Sequence, residues 1–152
     1  MSEQPTDGPS ERDQGLRTAL PPEGFEHVRT WTLDTTAELS RLRRELSAET
    51  GGDPSRLDPV GERMLLIASE LATNALLHGI PPTIVTLSRS GSLLLLDVAD
   101  HDVRGTPAIA GERAVGMGGF GLRIARRLSQ DVGWYADTTT KHVWAVLEAQ
   151  TA

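Results

Sequence analysis

Apolar and polar positions alternate along this chain in two periods, and the periods mark its elements. In FEHVRTWTL, Val28, Thr30 and Thr32 alternate with Arg29, Trp31 and Leu33, which is the period of a strand. DTTAELSRLRRELSAETGG then places leucines at 39, 42 and 46, the stripe of a helix capped near Asp34 or Thr35 and stopped at Gly51-Gly52. Asp58-Pro59 sets a capping side chain before a proline and opens a long helix to about His78, ended by Gly79 and Pro81-Pro82. TIVTLSRS and SLLLLDVAD read as two strands joined at Ser90-Gly91. From His101 to Gly119 neither period is sustained and six residues are Gly or Pro, so a flexible loop is expected. FGLRIARRLSQDV repeats Leu122, Ala125 and Leu128, with Ile124, at helical spacing, and GWYAD and HVWAVLEA close the chain as strands around TTTK.

This order predicts an α+β fold: a mixed, mainly antiparallel sheet with helices on one face. The first 24 residues are rich in Glu, Asp, Pro, Gly, Ser and Gln and show almost no apolar periodicity. Such a segment cannot bury enough surface to offset the entropy of ordering, so residues 1–24 are expected to form a disordered leader, and deletion of residues 2–22 to leave stability unchanged. Residues 25–150 form one domain, in keeping with a length of 152 residues.

Charge and composition narrow the function. A net charge of -6 repels a phosphate backbone, and no basic, aromatic stripe suggests a nucleic-acid groove. The absence of cysteine removes disulfide frameworks and thiolate metal sites, and the start lacks the basic and apolar regions of a signal peptide. The longest strongly apolar run, LLLLDVA, is too short to span a bilayer. A cytoplasmic protein is expected.

Candidate chemistry centres on SELATNALLHG, Ser69 to Gly79. Glu70, Asn74 and His78 recur every four residues, so each lies about 40° round the helix from the last and the three form one polar stripe. The simplest reading is a solvated face with His78 at the helix end. Two further features weigh against that simplicity. LLLLDVAD ends on Asp100, a carboxylate delivered from a strand into a loop, and GMGGFGLRIARRL leads a glycine-rich turn into a helix whose first N–H groups can cradle phosphate.

In this order and spacing the three segments resemble the N, G1 and G2 boxes of the GHKL (histidine kinase-like) ATPase superfamily, over roughly Glu26 to Ala149. The similarity is greatest to its small stand-alone branch, the anti-sigma factor serine/threonine kinases and related ATP-binding regulatory proteins. The resemblance implies a two-layer α/β sandwich of the Bergerat type that binds ATP and Mg²⁺. It implies that Asn74 is the metal ligand, Glu70 the catalytic base and Asp100 the acceptor for the adenine amino group. Gly105, Gly118, Gly119 and Gly121 would lie by the nucleotide, under a lid running from His101 to Gly118. His78 would either tighten the phosphate side of the pocket or only cap the helix. The pattern departs from the family in three places: Asp102 and Arg104 stand where the G1 glycines are usual, with Gly105 one residue later, and His142 after Lys141 stands where a threonine helps to fix the nucleotide.

The resemblance thus points to a Mg-ATP-dependent protein kinase that binds a sigma factor and phosphorylates a small antagonist protein, with neither nucleic acid nor membrane as a direct partner and a homodimer left open. An ATP-loaded module that sequesters a partner without phosphoryl transfer is the alternative, and a small α+β protein without nucleotide the third reading.

Overall fold

A computed structural model describes residues 16–50, 59–104 and 120–148. The elements are β1 (Glu26–Leu33), a 3₁₀ turn (Thr36–Glu38), α1 (Leu39–Thr50), α2 (Pro59–His78), β2 (Thr83–Ser90), β3 (Leu93–Asp100), α3 (Phe120–Leu128), β4 (Asp131–Ala136) and β5 (Lys141–Glu148). The strands form one open sheet in the order β1-β2-β3-β5-β4. All four ladders are antiparallel, so the sheet is not mixed; among the described residues the parallel pairing is an isolated bridge between Thr18 and Trp134.

Side-chain parity divides the two faces. Leu94, Leu96 and Val98 on β3, with Ala145 and Leu147 on β5, join the main core with Leu42 and Leu46 of α1, Met64, Ile67 and Leu71 of α2, and Ala125 of α3. Leu95, Trp144 and Val146 face the other way and form a smaller cluster with Ala19, Phe25 and Tyr135. Helices therefore cover one face, as the sequence predicts, and the run of four leucines in β3 follows from apolar cover on both sides. The β2–β3 turn is Gly91-Ser92, one residue later than expected, and Gly91 has φ +57. Positive φ at the first central position suits the tight hairpin and is open to glycine at little cost.

α1 docks on β1 through Glu45, whose Oε1 accepts from Trp31 Nε1 at 2.9 Å and from Arg29 at 2.7 Å. The cap falls at Thr35, where Glu38 accepts the N–H groups of Asp34 and Thr35.

The leader expected over residues 1–24 requires correction from Leu16 onward. Leu16 is buried in the helix-side core, and the backbone of Arg17 and Ala19 exchanges two hydrogen bonds with Trp134 on the β4 edge. The chain then crosses to the far face: Trp144 Nε1 donates to the Ala19 carbonyl at 2.8 Å, and Phe25 packs against the smaller cluster. Residues 16–25 are a strap from the β4 edge to the β1 edge. Its few apolar residues are spaced for crossing between faces, which no regular period reveals. Residues 1–15 lie outside the described residues.

Candidate functional site

α2 lies between α1 and α3 over the middle of the sheet. Glu70, Asn74 and His78 are all half-buried on it, neither in the core nor free in solvent. On the α1 side a cavity of about 320 Å³ is lined by Arg43, Glu62, Leu65, Leu66, Ser69 and Glu70. Glu70 thus stands on the rim of the α1–α2 groove. Asn74 and His78, about 40° and 80° further round, carry the polar stripe toward the opposite flank, where α3 packs. Each step of four residues also advances about 6 Å along the axis, so Glu70 is one step from Asn74 and two from His78.

The C-terminal ends of α2 and β3 meet at one corner. Gly79 N–H donates to the Ala75 carbonyl at 2.8 Å, and His101 N–H to the Ile80 carbonyl at 2.9 Å. A Cβ on Gly79 would stand 2.5 Å from Asp100 Cγ and 2.7 Å from the Ala75 oxygen, so the absence of a side chain is what lets helix and carboxylate approach. The glycine that closes SELATNALLHG is therefore a spacing residue for Asp100. Asp100 is buried, with Oδ1 accepting the Asp102 N–H at 2.7 Å. Lys141, its register partner on β5, places Nζ 3.8 Å from Oδ2, and both side chains are largely shielded from solvent. On the other neighbouring strand Thr83 is fully buried with its hydroxyl unpartnered, one register step beyond the Ile84–Ala99 pair and so across from Asp100. Thr83, Asp100 and Lys141 make a polar row at the end of the sheet, on its helix side. The register of three strands creates this row, and only the Asp100 member is visible from a motif.

Gly105, Gly118 and Gly119, with most of the expected lid, lie outside the described residues. Gly121 is the second residue of α3, which begins where the glycine-rich turn was expected to enter a helix. At the positions of the missing glycines, Asp102 Oδ1 accepts the Arg104 N–H at 3.3 Å, a local turn that side chains supply.

His142 is not in this corner. β5 alternation puts it on the far face, where Nδ1 lies 2.8 Å from Asp97 Oδ1 and Nε2 lies 3.0 Å from Thr140 Oγ1. Thr140 Oγ1 also donates to Asp137, and the Tyr135 ring stacks on the imidazole at 4.4 Å between centroids. Lys141, rather than His142, is the β5 residue beside Asp100. Burial alone would lower the His142 pKa, but the hydrogen bond and charge of Asp97, with Asp137 and Asp100 adding, raise it above the ordinary 6.5. The N–H groups of Thr139 and Thr140 and the Thr140 hydroxyl hold Asp137 down at about 2, and burial, then Asp97 and Asp137, push Tyr135 up to about 12.

A raised folded pKa means that the native state binds the His142 proton more tightly than the unfolded chain does. That stabilisation is complete below 6.5 and is lost as pH rises through the folded value. Denaturant midpoints measured from about pH 6 to about pH 9 should fall for the parent and fall less for His142→Gln. Parallel curves for the two proteins would remove His142 as the source of the slope.

The described residues thus form an α+β protein: an open, five-stranded antiparallel sheet with three helices on one face and a polar corner where α2 meets β3. The chain matches no protein-family model and no curated protein. Among the described residues no helix is long and apolar enough to cross a membrane.

Proposed function

We propose that this chain is a Mg-ATP-binding regulatory protein of the GHKL type, a serine/threonine kinase that binds a sigma factor and phosphorylates a small antagonist protein. The observation that carries the reading is the contact between Gly79 and Asp100. Two segments that resemble family motifs, 21 residues apart in sequence, meet at one corner by a fit that only glycine allows.

The donor set suits the nucleotide. No group of three or more His, Asp or Glu among the described residues could hold a metal ion by itself, so Mg²⁺ would be held jointly by Asn74 and phosphate oxygens. The unpartnered Thr83 hydroxyl beside Asp100 is a hydrogen-bonding group with capacity to spare, as a base-recognition row requires. Bound Mg-ATP supplies the phosphoryl group and its electrophilic activation. Asn74 would contribute a hard amide oxygen to the metal and Asp100 would accept an N–H of the base; the resemblance assigns the phosphates to Gly121 and to Gly105, Gly118 and Gly119, which lie outside the described residues. Glu70 orients the substrate hydroxyl and takes its proton, and His78 closes the phosphate side or caps α2. The position of Glu70 on the α1-side rim favours keeping a second reading, in which the nucleotide-loaded protein holds its partner without transfer.

Three variants separate these readings. Asn74→Ala and Asp100→Ala should each abolish the rise in melting temperature that Mg-ATP produces, a stabilisation of about 2.7 kcal/mol at 100 times the dissociation constant. Glu70→Ala should retain that rise and lower phosphoryl transfer to an antagonist protein by about a hundred- to ten-thousand-fold. A parent that binds Mg-ATP but transfers nothing supports the module; a parent with no thermal shift removes both readings.

A further inference from the structure

The far face of the sheet carries a polar constellation that neither the core nor the corner uses. Thr140, just before β5, holds Oγ1 3.0 Å from His142 Nε2, and the other ring nitrogen, Nδ1, lies 2.8 Å from Asp97 Oδ1 on β3. Hydroxyl, imidazole and carboxylate form a chain, each within hydrogen-bond reach of the next. This is the arrangement that turns a hydroxyl into a nucleophile: a base beside it and a third group that orients the base.

Strand register builds the chain. Thr140 and His142 are two residues apart and share the far face, while Asp97 reaches the imidazole diagonally from β3, where its own register partner is Trp144. Tyr135, the register partner of His142 on β4, stacks on the ring at an interplanar angle of 6° and fixes its plane. The side chains of His142 and Asp97 are largely shielded from solvent, and Thr140 is only partly buried.

With Asp97 accepting from Nδ1–H, the neutral imidazole turns the lone pair of Nε2 to the hydroxyl. Asp137 competes for the same hydroxyl proton at 3.0 and 3.1 Å, but a carboxyl held down at about 2 is far the weaker base. We infer that Thr140 is an acyl-accepting nucleophile, with His142 as its base, Asp97 as the residue that positions that base, and small activated acyl compounds as the substrate class.

In the transfer Oγ1 forms a bond to the carbonyl carbon as the hydroxyl proton passes to Nε2. The bond from that carbon to the leaving group then breaks, its electron pair departing on the leaving group, and the imidazolium returns its proton to water. The N–H groups of Thr139 and Thr140 already donate to Asp137, at 2.8 and 2.7 Å, so they do not serve the oxyanion that water would have to form in removing the acyl group. The threonine ester therefore accumulates, which makes Thr140 a modification site rather than a centre of rapid turnover. Asp100 and Lys141 lie on the opposite side of the sheet, and this inference does not rest on nucleotide binding.

Incubating the full chain with p-nitrophenyl acetate should release one nitrophenolate per chain in a burst and leave a single acetyl group on Thr140, located by mass spectrometry of its peptide. Thr140→Val and His142→Gln should each slow the burst by about a hundredfold or more, and Thr140→Ser, which keeps a hydroxyl in place, should restore it. Reaction requires the neutral imidazole, so its rate should rise with pH through the folded value for His142, above the ordinary 6.5. Asp97 on β3, Asp137 in the turn and Asp100 behind the sheet set that midpoint, while Tyr135 on β4 stays neutral below about 12. Asp97→Asn should therefore move the midpoint lower; an unmoved midpoint would overturn the part assigned to Asp97. Acetyl groups on lysines but not on Thr140, equal bursts from the parent and from Thr140→Val or His142→Gln, or a rate that stays constant from about pH 6 to about pH 9 would each overturn the inference.

Discussion

Deleting residues 2–24 is expected to destabilise the protein by about 4 kcal/mol or more, roughly 10–15 °C in Tm. The deletion removes Leu16 from the helix-side core, and full burial of a leucine is worth about 1.5–3 kcal/mol. It strips the partners of the Trp134 N–H and carbonyl on the β4 edge. It also takes the Ala19 carbonyl from Trp144 Nε1 and the Arg17 guanidinium from above that ring, and an unsatisfied buried donor costs about 1–3 kcal/mol. Thermal unfolding followed by far-UV circular dichroism measures the effect. An unchanged midpoint would restore the free leader that the composition suggests.

Gly79→Ala is the second large effect, because one methyl group there has nowhere to go. Its Cβ would stand 2.5 Å from Asp100 Cγ, 2.6 Å from Oδ2 and 2.7 Å from the Ala75 oxygen. The φ of Gly79 is not in the left-handed region, so the demand is for space rather than for backbone freedom. Overpacking of this kind costs about 1–3 kcal/mol, here against a backbone atom and a buried carboxylate that cannot both yield. A Tm lowered by roughly 4–10 °C is expected, together with loss of whatever Asp100 binds. A variant as stable as the parent and equal to it in nucleotide binding would mean that the corner adapts and that Asp100 does not need its present place.

These two effects mark where sequence pattern was informative and where it was not. α1 was legible because Leu42 and Leu46 repeat at the period of one buried stripe, and α2 because Asp58-Pro59 and Gly79 mark its two ends in the sequence. β3 was legible as a strand, and Asp100 at its end as a placed carboxylate. The strap escaped notice because Leu16, Ala19 and Phe25 bury against different faces of the sheet and so share no period. The polar row escaped because Thr83 and Lys141 come within reach of Asp100 only through strand register, which sequence spacing does not encode. The same alternation sends His142, the neighbour of Lys141, to the opposite face, where it binds Asp97 instead.

Calorimetric titration of the full chain with ATP, with and without Mg²⁺, decides whether the corner between α2 and β3 takes Mg-ATP. Saturable binding of one nucleotide per chain is expected, requiring Mg²⁺ and lost in both Asn74→Ala and Asp100→Ala while their folded midpoints remain measurable. Absence of saturable heat at millimolar Mg-ATP, or binding that both variants retain at the parent's affinity, would contradict it.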